Sequence, residues 1–405
     1  MDSQLGPDFE AQFDLFDHRQ TQNMWAETAR WRRDTPVVRL PGEYTYVARW
    51  EDCWRILRDP KTFENGNSFK AVEMPDEERM LGEMDPPRHP RLRRVVRGAF
   101  GRNAVEVERD FAAGSSRALL AQWGPGDEVD LVSRFTDQIS NQVSLHHLGF
   151  PLDDCEQVVE WVRELLHSDW PALNRTERGE GLGGAFPELS AYIDKMVDSR
   201  RGDDAPDDIV SRLVRCELDG ELLSKTVLRI LTANFVLGGI STTTNLIASL
   251  LWRILQSTDL HAELRARPEL IPAAVEETLR LDPPVLFVMR QCRTATEVAG
   301  TLLAPGEKIV VGVASANRDE RVFESPDEFR LDRGLPEHLS FGGGAHHCVG
   351  SGLARVVAVE AVKAFVERFD PGQIRLAAGF EYEGVPVFLE NGPVRLDVEL
   401  VTDTD

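Results

Sequence analysis

FGGGAHHCVGSGLAR, residues 341 to 355, is the stretch whose reading decides the fold. Three successive glycines, Gly342, Gly343 and Gly344, lead into two histidines and Cys348. Glycine at that density marks a backbone that turns tightly and approaches something flat and large. After Cys348 the apolar spacing becomes helical and predicts a last helix from about Gly352 to Phe369. A cysteine just before a helix meets free N–H groups and the positive end of the dipole, which stabilise a thiolate. Such a thiolate is a nucleophile or a metal ligand. Zinc asks for further Cys or His ligands at short spacing, which HHC alone does not provide. A nucleophile asks for a base, and His346 or His347 would serve. A buried structural cysteine is the ordinary alternative.

The surroundings narrow the class. The chain has 405 residues, 42% hydrophobic and 28% charged, as expected of a globular protein with a large core. Five scattered cysteines without a CxxC pair argue against a disulfide framework and for a reducing compartment, the cytoplasm. The acidic start MDSQLGPDFEAQFD has no apolar run, so neither signal peptide nor anchor is expected there. Sixty-eight acidic against 46 basic residues leave a net charge of −22, which disfavours nucleic acid and anionic membranes. Within that acidity RHPRLRRVVRGAFGR, residues 88 to 102, carries six arginines and no carboxylate. It is a candidate docking or anion site, or else a solvated helix face.

No internal repeat is present. VVRLPGEYTYVARW reads as a hairpin about Pro41-Gly42, residues 85 to 281 as mostly helical, and APGEKIVVGV as a turn before a strand. The tail beyond Pro371 is again strand-like. These patterns predict one large, mainly α body with a small β-rich part made from both ends. Residues 230 to 252 carry no charge and are long enough to span a bilayer. Their threonines, serines and asparagines point instead to a buried helix, with Gly238 and Gly239 permitting a local kink. The glycine-bearing stretch 171 to 184, between two amphipathic patterns, reads as a loop and a candidate lid.

FGGGAHHCVG matches, position for position, the haem-binding signature FGxGxHxCxG of the cytochrome P450 family: Phe341, Gly342, Gly344, His346, Cys348 and Gly350 are all in place. The resemblance extends over nearly the whole chain. It implies the family's α+β fold, mainly α with a long central helix over the haem, as one P450 domain spanning residues 1–405. It also implies haem b with Cys348 as the iron ligand, a thiolate whose electron push favours O–O cleavage. Glu277-Thr278-Leu279-Arg280 resembles the family's ExxR helix, 68 residues before the cysteine. Arg333 of FRLDR is similar to the third member of the buried Glu-Arg-Arg network, and ANRDE (residues 316–320) to a strand-ending motif. His89 and Arg93 resemble the HxxxR pair that holds haem propionates, with Arg290 and His346 as further partners.

GGISTTT, residues 238 to 244, is similar to the oxygen-activating segment and aligns Thr242 with its threonine. The usual acidic position holds Ser241 instead, which puts carboxylate-assisted proton delivery in doubt. The resemblance implies a monooxygenase acting on an apolar small organic substrate, with NAD(P)H electrons arriving through a ferredoxin reductase and a separate ferredoxin. Oxidative coupling, dehydrogenation or haem-based sensing are the alternatives. Expected pocket residues are Phe235, Gly238, Gly239, Leu286, Val288 and Phe388, with the loop from Phe69 to Met84. Arg94, Arg97 and Arg102 are expected to dock the ferredoxin, and the protein is expected to be a monomer.

Overall fold

The computed structural model describes residues 13–66 and 71–401. In chain order the strands used below are β1 (Val37–Leu40), β2 (Tyr44–Val47), β3 (Phe63–Glu64) and β4 (Glu128–Asp130), then β5 (Val288–Cys292), β6 (Lys308–Val311), β7 (Ile374–Leu376) and β8 (Asp397–Leu400). The helices are α1 (Arg88–Arg97), α2 (Arg102–Leu120), α3 (Asp137–Leu148) and α4 (Cys155–His167), then α5 (Pro187–Ser199), α6 (Lys225–Gln256), α7 (Ile271–Leu281) and α8 (Ser351–Arg368).

The expected hairpin is β1 and β2, antiparallel with Val37 opposite Val47. Its turn places Gly42 at φ +77°, a conformation that glycine adopts without a Cβ penalty. Five strands then combine the two ends of the chain in the order β1-β2-β6-β5-β3, with β6 parallel to β2. Side chains alternate across this sheet. Val38, Tyr46 and Val310 enter one apolar cluster, while Val37, Val47, Ile309 and Val311 enter the cluster on the other face. A one-residue slip would turn both sets to the wrong side. A second sheet, β7-β8-β4, ties the tail to the start of α3's segment.

The long uncharged stretch lies within α6, whose start is capped by Ser224 accepting from the Val227 N–H. By length and composition α6 could cross a membrane, but 67% of its apolar window is buried inside the protein. It packs against α3, α5, α7 and α8. Gly239 is what lets α3 approach: a Cβ there would lie 2.7 Å from Ser144 Oγ. The expected kink does not break the helix; instead Ser140 and Ser144 donate to the Gly239 carbonyl at 3.0 Å, and Ser140 to that of Ile240 at 2.9 Å.

The stretch 171 to 184 is not the plain glycine loop expected. It folds as a short helix (Trp170–Leu173), a two-residue-strand hairpin and a second short helix (Gly181–Ala185). Trp170, Leu182 and Ala185 are buried, which is what orders it. The ANRDE segment likewise follows a short helix, Val313–Ala316, and not a strand.

Candidate active site

Hydrogen bonds within and around the glycine-rich loop fix its path. The Gly342 N–H donates to the Leu339 carbonyl and the Cys348 N–H to that of Phe341, both at 2.7 Å. The Leu339 N–H in turn donates to Asn317 Oδ1 at 2.7 Å, which gives the ANRDE asparagine its task. Gly344 sits at φ +63°, and a Cβ there would lie 2.7 Å from the Leu57 carbonyl oxygen. The Arg355 guanidinium covers the Phe341 ring at 4.4 Å. Gly350 caps α8 and leaves room for the sulfur, since a Cβ on it would stand 3.9 Å from Cys348 Sγ.

Cys348 is thereby presented at the amino-terminal end of α8. Burial pushes its thiol up, while the Gly350 and Ser351 N–H groups and the charges of Arg93 and Arg355 favour the thiolate. Its sulfur faces a cavity of about 360 Å³, within the roughly 300–1,000 Å³ of small-molecule and cofactor sites. Across it lies the face of α6 that carries Phe235, Gly238, Gly239, Thr242 and Leu246, spaced by three and four. Thr242 donates its hydroxyl to the Gly238 carbonyl at 3.0 Å.

One end of the cavity gathers His89, Arg93, Arg290 and His346. The two imidazoles stack at 3.8 Å. Burial lowers His89 to about 4, with Arg93 adding to the effect and Asp85 opposing it, and lowers His346 to about 3, with His89, Arg290 and Arg93 adding. Arg290 is buried, lowered to about 10 by desolvation, and donates to its neighbour's carbonyl, Met289, at 2.7 Å. Arg93 donates to the His347 carbonyl beside the cysteine. Both ring nitrogens of His89 lack a hydrogen-bond partner among the described residues.

Behind the loop, Glu277, Arg280 and Arg333 come together. Arg280 grips Glu277 with two bonds of 2.8 Å, and Arg333 Nε adds a third at 2.9 Å. Glu277 and Arg280 are fully buried. Arg280 and Arg333 spend their remaining donors on the carbonyls of residues 317 and 324 to 328. The trio therefore pins the segment leading into the cysteine loop.

The cytochrome P450 family model matches residues 154–373, just over half of the chain. Cyclomarin C epoxidase CymV of Salinispora arenicola is 32% identical over 367 residues, 88% of this chain and 91% of that protein. Mycinamicin IV hydroxylase/epoxidase of Micromonospora griseorubida is 33% identical over 84% of this chain and 85% of its own length. The chain belongs to the cytochrome P450 family. The solved structure of cytochrome P450 CYP109Q5 from Chondromyces apiculatus superposes with a TM-score of 0.85 at 25% identity, covering 98% of this chain and 100% of that one.

A P450 carries haem, and the residues present fit it. His89 has two ring nitrogens without a hydrogen-bond partner among the described residues, and Arg290 is buried with no described carboxylate in salt-bridge contact, Asp85 acting on both only through its charge. Haem propionates supply that carboxylate, so His89, Arg93, Arg290 and His346 would hold them and Cys348 the iron. Bound there, haem supplies the oxygen chemistry.

Two expected pocket residues, Leu286 and Phe388, need correction, and the place of Ser241 bears on the catalytic role expected of it beside Thr242. Ser241 does not line the P450 cavity; it turns to the flank of α6 and donates to Glu390 Oε1 at 2.7 Å. One helical step of about 100° separates it from Thr242. Leu286 and Phe388 also lie outside the cavity. Leu286 is held by backbone bonds to Leu389 and Ala314, and its side chain enters the cluster of Phe13, Leu15 and Phe287. In that extended segment Val285 faces the cavity, so Leu286 faces away. Phe388 packs on Phe16 at 4.9 Å and Phe287 at 6.0 Å. From the earlier loop Leu81 and Gly82 reach the wall, whereas Phe69 lies outside the described residues.

Sequence reasoning missed Asn234, His147 and Glu390. Asn234 lines the cavity and accepts from the Leu81 N–H at 3.2 Å. His147 also lines it, with Nδ1 on Glu108 at 3.2 Å. Nothing local in the sequence marks any of the three.

Proposed function

We propose that this P450 inserts one oxygen atom from O₂ into an apolar small organic molecule by hydroxylation or epoxidation. NAD(P)H electrons arrive through a ferredoxin reductase and a separate ferredoxin. The observation that carries the reading is the apolar cavity held between Cys348 and the Thr242 face of α6. Leu81, Phe235, Leu246, Val285 and Val288 supply walls without a charge on the α6 side. The relatives named for epoxidation and hydroxylation support the reaction type. Thr242, with its oxygen free to accept, is the residue assigned to holding a proton-carrying water beside the reacting oxygen.

For the partner, Arg94, Arg97 and Arg102 are exposed on α1 and at the start of α2, and none pairs with a described carboxylate within 4 Å. An acidic ferredoxin suits this basic strip on an acidic protein, since complementary charge chiefly sets encounter and orientation. The protein is assigned to the cytoplasm as a monomeric, single P450 domain. The test pairs a compound found by its Soret blue shift with isotopically labelled dioxygen. A product carrying one labelled atom is expected. A dehydrogenated or coupled product without label would replace insertion by radical escape, and tight binding with no partner-dependent NAD(P)H use would replace catalysis by sensing.

A further inference from the structure

Asn234 brings a hydrogen-bond donor to an apolar stretch of the cavity wall. It sits half-buried on α6, and its wall neighbours Leu81, Gly82, Phe235 and Gly238 offer no polar side chain. Its side-chain oxygen accepts from the Leu81 N–H at 3.2 Å. A backbone N–H can only donate, so this contact fixes which end of the amide is oxygen and which is nitrogen. Nδ2 then carries two N–H groups. One meets the Met80 sulfur at 3.6 Å, a weak acceptor, and the other has no acceptor among the described residues. The remaining polar groups on the wall are committed or lie elsewhere. Ser144, Thr242 and Ser340 each donate a hydroxyl proton to a backbone carbonyl, and His147 turns Nδ1 to Glu108. Thr243 adjoins Thr242, at the reacting end.

The position of this donor sets a distance. Asn234 and Thr242 share the cavity face of α6 eight residues apart, about 12 Å along the helix at the usual rise. We propose that Asn234 is a specificity residue whose free N–H receives a carbonyl oxygen of the substrate. The substrate is then an apolar molecule with a ketone, ester or amide carbonyl remote from the carbon that is oxidised. A carbonyl fits best because its oxygen only accepts, so the pairing strands no further group. A carboxylate would bring a charge to a wall where α6 supplies no cation, and a hydroxyl would bring another proton in need of an acceptor. A ligand without an acceptor leaves the amide N–H unpaired in an apolar site and is disfavoured for that reason. The inference deepens the monooxygenase reading and rests on it.

The test titrates the haem-loaded protein with 2-tridecanone and with tridecane, which share a chain long enough to span that distance and differ in the carbonyl. In wild type the ketone should reach its half-maximal Soret blue shift at about three- to tenfold lower concentration, the worth of one neutral hydrogen bond. In Asn234→Leu that ratio should fall to about one. The carbonyl stretch of bound ketone should lie at lower frequency in wild type than in Asn234→Leu. With redox partners, wild type should oxidise the ketone in the half of the chain remote from the carbonyl, and Asn234→Leu should scatter the products. Equal affinity for the two probes in wild type, or a shift with neither, overturns the proposal. Oxidation beside the carbonyl in wild type also overturns it. So does equal weakening of both probes in Asn234→Leu, the mark of a displaced Leu81 segment and not of a lost donor. The binding and infrared readouts need no turnover, so a product without labelled oxygen would instead strike the monooxygenase reading.

Discussion

The imidazoles of His89 and His346, far apart in the chain, stack with centroids 3.8 Å apart and planes 19° from parallel. Two rings so placed repel each other once charged, and both are held neutral by burial. With Arg290 alongside they form the pocket end that would hold the haem propionates.

Arg290 therefore answers to the cofactor and not to the chain. Arg290→Leu should leave the melting temperature of haem-free protein unchanged or raised, because no described carboxylate is in salt-bridge contact with it and Asp85 offsets its burial only through charge. The same variant should retain less haem per chain after gel filtration. Full haem occupancy in Arg290→Leu would remove the assignment.

Glu277 behaves in the opposite way. Glu277→Ala leaves Arg280, fully buried, without its carboxylate, and should cost about 3–5 kcal/mol in denaturant unfolding. Arg333→Ala removes one bond from the edge of the same trio and should cost less. Equal costs would mean the network is not organised around the glutamate.

Glu276 sets an acid limit. Burial alone would raise it, but hydrogen bonds from Arg355 and His338 outweigh that and bring it from 4.5 down to about 2. A depressed carboxyl gives stability that is fully present above pH 4.5 and lost as pH falls towards 2. The stability difference between wild type and Glu276→Gln should be on the order of 2 kcal/mol above that window and shrink through it. A difference independent of pH would show that the ion pair is not its source.

Gly344 tests the loop geometry. Gly344→Ala drives a Cβ to 2.7 Å from the Leu57 carbonyl oxygen and 3.0 Å from Arg58 Cα at φ +63°. It should destabilise the protein by about 1–3 kcal/mol and displace the cysteine loop. Gly82→Ala, with nothing within 4 Å, serves as the control. Matching melting temperatures for the two would contradict the close approach.

How far the sequence can be read follows from how local each constraint is. Phe341 to Gly350 was legible because glycine conformations and a helix start are written within ten residues. The hairpin about Pro41-Gly42 was legible for the same reason. Leu286 and Phe388 were not, because their orientation depends on a cluster built by Phe13, Leu15 and Phe16 from the other end of the chain. The stretch 171 to 184 is rich in glycine, yet Trp170 and Leu182 order it through burial that no local pattern reveals. Glu390 reads as a surface acid until the fold sets it against Ser241.

The central claim is that Cys348 holds haem iron as a thiolate at the start of α8. The ferrous–CO absorption spectrum tests it most directly. Wild-type protein should show the strongly red-shifted Soret band of thiolate ligation, and Cys348→Ala should lack it. A red-shifted band that survives in Cys348→Ala would contradict the account.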